Sequence, residues 1–135
     1  MTRRKNPKPR WDQGAAAVEA ALILPVLFLF VLGIVEFGMA LWKWNTMLLA
    51  VEQAGRWAMI NNADTNLITD VESQMQAVLS GASVCPTPLT PTSGEMCVNA
   101  NKSGSTMTLS AAYSFSPVAF FSPFTITSQG TVPLD

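Results

Sequence analysis

Few side chains in this 135-residue sequence can do chemistry, so each one is informative. Glu19 stands out: it is the one charge in an apolar stretch from Ala15 to Val35, with Gly14 just ahead. A carboxylate one turn inside a bilayer costs roughly 3 kcal/mol on insertion scales, so it is expected to face a partner or a polar path. The alternative is that it snorkels to the interface, which its place near the end of the stretch allows. Cys85 and Cys97 are the only cysteines, and there is no histidine. Two thiolates alone do not fill a zinc site, and their spacing is not C-x-x-C. With no His, no Gly-rich phosphate loop and no paired carboxylates outside solvated helix faces, acid–base and nucleophilic catalysis lack their parts. The sequence predicts a protein that is not an enzyme and holds no cofactor or metal.

The elements that position these residues follow from length and charge. The chain is long enough for one membrane segment and one small domain, not for a large enzyme core. Arg3, Arg4, Lys5, Lys8 and Arg10 against Asp12 give the head before Gly14 a charge of +4. The remainder, with three basic and eight acidic residues, carries −5. Ala15 to Val35 is 21 residues, about 31 Å as a helix, which is enough to cross the hydrocarbon core once. Basic residues beside such a segment stay cytoplasmic, so the rest of the chain is expected outside the membrane. That orientation accounts for the basic cluster, and no interleaved aromatic reader accompanies it, so nucleic acid is not an expected partner.

Glu36 and Lys43 then mark the outer interface, with Trp42 and Trp44 at the depth that amphipathic rings prefer. Beyond it Phe37, Leu41, Trp44, Leu48, Val51, Gly55 and Ala58 recur at steps of four and three. This predicts one helix from about Ala15 to about Ile60 whose apolar stripe packs on its own C-terminal domain. Glu52 and Arg56 form a supporting i,i+4 pair, Asn61 and Asn62 are stop signals, and Pro25 is a tolerated kink.

Gln13-Gly14-Ala15-Ala16-Ala17-Val18-Glu19-Ala20-Ala21-Leu22-Ile23-Leu24-Pro25, followed by Gly33-Ile34-Val35-Glu36-Phe37-Gly38, resembles the TadE-like pseudopilins of the tight-adherence (Tad) pilus system. The resemblance covers roughly residues 13–60 and departs at Ala20, where the family usually has Phe. It implies cleavage by a membrane prepilin peptidase between Gly14 and Ala15, which removes fourteen residues and leaves 121. Glu19 of one subunit would then pair with the new α-amine at Ala15 of a neighbour, and only a correctly registered neighbour relieves both charges. The implied partners are the prepilin peptidase, other pilins and pseudopilins of the pilus, the inner-membrane assembly platform and membrane lipid. The implied location is a bacterial inner membrane, crossed once. The C-terminal domain, larger than a bulk pilin carries, points to a minor component or assembly factor.

The organisation expected is a cleaved leader over 1–14, a transmembrane segment over 15–36, its helical continuation over 37–61, and a small extracytoplasmic α+β domain over 62–135. In that domain Asp64 or Thr65 can cap a short helix with Leu67, Ile68, Val71, Met75, Val78 and Leu79 on one face and Gly81 as its stop. Pro86, Pro88 and Pro91 break the loop that follows. Val98 and Ala100, a turn at Asn101-Lys102-Ser103-Gly104, and alternation from Met107 to Phe115 predict an antiparallel β-hairpin. Phe124 to Thr127 and Gly130 to Val132 suggest one more strand or a strand pair. A core this small benefits from a staple, and Cys85 and Cys97 on an oxidising side are expected to form a disulfide. Its 13-residue loop is worth about 3 kcal/mol in the chain-entropy picture. The aromatic run from Phe115 to Phe124 either covers a sheet face or forms a patch for a neighbouring pilus subunit.

Two other readings stay open. Gly38-Met39-Ala40 offers small residues before a signal-peptide cut ahead of Leu41, which would release a secreted binding domain, although its hydrophobic region would be long and Glu36 would sit just before the site. An uncleaved single-span anchor leaves Gly14 and Glu19 unexplained.

Overall fold

One helix dominates the chain because nothing in its sequence is strong enough to stop it. The computed structural model describes residues 11–117 and 122–134, with side chains from Gly14 onward. The basic residues Arg3 to Arg10 of the leader, and Val118 to Phe121 of the aromatic run, lie outside the described residues. Helix α1 spans Trp11–Ile60 and contains Pro25. It starts before the expected Ala15, since Gly14 costs only about 1 kcal/mol relative to alanine in a helix and does not interrupt it. Helix α2 (Leu67–Val78) and strands β1 (Ser83–Val84), β2 (Met96–Ser103), β3 (Thr106–Phe115) and β4 (Phe124–Pro133) follow. The chain is α+β and divides into two units, residues 1–35 and 36–135.

In the first unit the apolar side chains have no core to enter. From Val18 to Val35 the large hydrophobic residues are between 46% and 72% exposed, and no side chain from Gly14 to Val35 is buried. A surface of this size and uniformity is not stable in water, and its length suits a bilayer.

The second unit is a four-stranded sheet in the order β1-β2-β3-β4, with the helices gathered on one face. β2 to β4 are antiparallel as expected, but β1 joins β2 in parallel, so the sheet is mixed. The hairpin turn falls at Gly104-Ser105, two residues later than the expected one, because Ser103 still pairs with Thr106. Gly104 has φ +60°, the first central position of a type II′ turn, which matches the twist of the flanking strands. The C-terminal segment is a single ten-residue strand. Met47, Met75, Met107 and Leu109 are fully buried, and Val71 and Val98 pack in the same cluster.

The face that α1 presents to this core is not the one the large side chains predict. Phe37, Leu41, Trp44 and Leu48 are 40–67% exposed, whereas Ala40, Met47, Ala50, Val51, Ala54, Gly55 and Ala58 are buried. Only the last three members of the expected stripe, Val51, Gly55 and Ala58, point inward. The reason is close approach: a Cβ on Gly55 would lie 3.0 Å from Val132 Cγ1, and one on Gly130 would lie 2.7 Å from Val51 Cγ1. Small residues let the helix settle on the sheet, and hydrophobicity alone ranks them below the bulky residues on the opposite side.

The cap of helix α2 falls one residue after Thr65 and two after Asp64, the expected caps. Asn66 is its N-cap, and Asp64 Oδ1 accepts the Asn66 N–H at 3.0 Å in the turn leading in. Leu67, Val71, Met75 and Leu79 are buried, while Ile68 is 41% exposed.

Candidate functional site

The residues with chemical promise fall into two groups, one in each unit. In the first, Gly14, Ala15 and Glu19 lie on consecutive turns of α1, and all three are exposed. Ala15 and Glu19 are four residues apart, so they share a face of the helix. A Cβ at Gly14 would meet nothing within 4 Å. Glycine there disfavours the helix and, like Gly33 and Gly38 further along α1, relieves no clash among the described residues.

In the second unit Cys85 and Cys97 are joined, with Sγ atoms 2.08 Å and Cα atoms 5.5 Å apart. Cys97 lies on the sheet face away from the helices, opposite Ala112, and both are almost fully enclosed. The bridge ties the end of β1 to β2, where the Cys85 N–H also donates to the Val98 carbonyl at 3.0 Å. Glu95 fastens the same loop: Oε1 accepts from Ser83 Oγ at 3.0 Å, and Oε2 accepts from the N–H and hydroxyl of Thr92. The Thr92 hydroxyl, then the Thr92 N–H and the Ser83 hydroxyl, hold the Glu95 carboxyl below its ordinary value, because each stabilises the ionised form. Cys85, Glu95 and Cys97 bring three ligand-type atoms within 4.8 Å of one another, but both sulfurs are committed to the bridge and supply no thiolate. The cluster is a fastening, not a metal centre.

Two details escape sequence reasoning. Glu72 on α2 accepts the Ala100 N–H at 3.1 Å, and Asn99 Nδ2 donates to the Cys85 carbonyl at 2.9 Å. Together with β1 they protect the β2 edge of the sheet, which would otherwise offer unpaired backbone groups to another chain. Glu72 and Ala100 are 28 residues apart, and no local pattern announces that contact.

A shallow groove of about 390 Å³ opens beside Asp64, Thr65, Asn66 and Lys102 at the start of α2. A smaller cavity of about 140 Å³ lies among Trp42, Lys43, Thr46, Leu79 and Met96. Among the described residues, neither joins a nucleophile to a base, which general acid–base or covalent catalysis requires.

No curated protein and no solved structure matches the chain. Residues 14–56 match the family model of TadE-like proteins, beginning at the glycine with open surroundings and ending in the half of α1 that packs on the sheet. Over that segment, carried on its long N-terminal helix, the chain is similar to TadE-like proteins.

Proposed function

We propose that this protein is a minor pseudopilin or assembly factor of a Tad-type pilus, cut between Gly14 and Ala15 by a membrane prepilin peptidase and held in register by Glu19. The observation that carries the reading is the placement of Gly14 at the mouth of the apolar segment, with no packing among the described residues that calls for glycine, five residues before an exposed carboxylate in an otherwise apolar surface. A peptidase reading the residue before the scissile bond supplies the missing reason for Gly14. A neighbouring α-amine supplies the missing partner for Glu19.

The physics of that pairing is selective. Cleavage leaves a cationic amine at Ala15, where the positive end of the helix dipole already favours an anion. Each charge is costly in lipid alone, and a neighbour shifted by even one turn leaves both unpaired. The basic leader keeps the N-terminus in the cytoplasm and carries the 62–135 domain across. The proposed partners are the peptidase, the other pilins and pseudopilins, the inner-membrane assembly platform and the surrounding lipid. The disulfide and the Glu95 contacts keep the exported domain folded where thiols oxidise.

Glu19→Ala tests the registering role. The variant is expected to be cut and inserted as the wild type, yet to lose crosslinking to its pilus partners. Normal crosslinking and normal piliation would leave Glu19 as a carboxylate that merely snorkels.

A further inference from the structure

An aromatic chain with one cation in it runs across one end of the second unit. Lys43 Nζ lies 5.2 Å from the ring centroids of both Trp42 and Tyr113. Tyr113 meets Phe115 edge-on at 6.4 Å, and Phe115 meets Phe124, its cross-strand partner, at 5.4 Å. The five residues come from α1, β3 and β4. The two ends of the chain are open: Trp42 is 63% and Phe124 47% exposed, while Phe115 between them is 7% exposed.

The position of this end follows from contacts inside the unit. Lys43 reaches Tyr113, Val51 faces Gly130, and Gly55 faces Val132. Tyr113 pairs with Ile126. Moving along α1 from residue 43 to residue 55 therefore follows β4 from its beginning to its end. Phe124 and Phe115 lie at the end of the sheet nearest Glu36, the residue at which the unit receives the chain from the apolar segment. Trp42 is only seven residues past Val35, about 10 Å of helix. No residue from 103 to 134 is charged, so neither β3 nor β4 brings a formal charge to that end.

We propose that this end of the domain rests on the bilayer, with Trp42, Tyr113 and Phe124 in the interfacial layer and Lys43 among the lipid phosphates. Tryptophan and tyrosine favour that depth, and a lysine stem can lie along apolar groups while its ammonium stays at the headgroups. The domain is thus attached to the membrane twice, by its helix and by the end of its sheet where Phe115 pairs with Phe124. The inference rests on the membrane-anchored reading of α1 and not on cleavage at Gly14, which the mature N-terminus reports separately.

The test uses the full chain in nanodiscs of phosphatidylcholine and phosphatidylglycerol, spin-labelled at Ser122→Cys or Phe124→Cys, with Thr131→Cys as the reference. Ser122 is exposed and keeps every member of the aromatic chain, so its label reads the site even where Phe124→Cys disturbs it. Residues 122 and 131 are about 30 Å apart along an extended strand. Collision with an aqueous nickel chelate is expected to be severalfold lower at 122 than at 131, while collision with oxygen is higher. Equal access of the chelate at both positions would overturn the proposal. So would low access of both reagents at 122, which would mean that protein rather than lipid covers it.

Discussion

The two halves of helix α1 use the same kinds of residue to opposite ends. From Gly14 to Val35 the large apolar side chains are all outside, 46–72% exposed, and among the described residues no packing calls for glycine at positions 14 and 33 and nothing pairs the Glu19 carboxylate. From Glu36 to Ile60 the buried positions are mostly small, and Met47, Ala50, Val51, Ala54 and Ala58 belong to the core of the domain, where Gly55 lies against Val132 and Val51 against Gly130. The first half is written for its surroundings, the second for its own domain. On the buried face of the second half residue choice follows from packing, whereas the first half has no packed face among the described residues.

The strongest way to break this contrast is to remove bulk from each side. Leu109 is fully buried beneath α1, and Leu109→Ala is expected to cost about 2–5 kcal/mol of domain stability, read as a shift in the urea midpoint. Leu27, 53% exposed in the apolar segment, is the matched control, and Leu27→Ala is expected to leave that midpoint unchanged. An equal shift in both variants would show the two halves to be one cooperative structure.

The disulfide sharpens the same contrast from within the second unit. A Cys85→Ser, Cys97→Ser double variant is expected to lose about 3 kcal/mol while inserting into membranes as the wild type does. A linked Cys85–Cys97 peptide in non-reducing mass spectrometry checks the bond itself. Freely alkylatable thiols in native material would remove it from the fold.

The smallest effect concerns Glu95. Its carboxyl is held below the ordinary value by Thr92 and Ser83, so the folded state favours the ionised form. That stabilisation is present above the unfolded pKa and is lost as pH falls through the lower folded one. The thermal midpoint is therefore expected to decline below about pH 4.5, and Glu95→Gln is expected to flatten the decline. An identical acid profile in the variant would show that the Glu95 contacts contribute nothing to loop stability.

The contrast also explains what could be read from the sequence. The apolar segment is legible as an unbroken run long enough to cross a bilayer, and α2 and the β2–β3 hairpin because each follows a single period, 3.6 or 2, with punctuation at Gly81 and Gly104. The inner face of α1 differs from the face that hydrophobicity predicts, because hydrophobicity points to Phe37, Leu41, Trp44 and Leu48 and passes over Ala40, Ala50 and Ala54, which matter for their size. Strand β1 is two residues long and pairs in parallel, too short for any periodicity. The contact of Glu72 with Ala100 depends on where α2 comes to rest, which no local rule encodes. Gly14 and Glu19 stand out in the sequence for the opposite reason: they violate the local rules of the segment that carries them.

The most direct test of a half written for its surroundings is the N-terminal residue of the protein purified from its native membrane. Processing at the exposed glycine predicts a mature chain that begins at Ala15 and has 121 residues, with the domain intact. A chain beginning at Met1 or Thr2 would make the segment an uncleaved anchor, and one beginning at Leu41 would make it a discarded signal; either result would contradict the proposed role of Gly14 and Glu19.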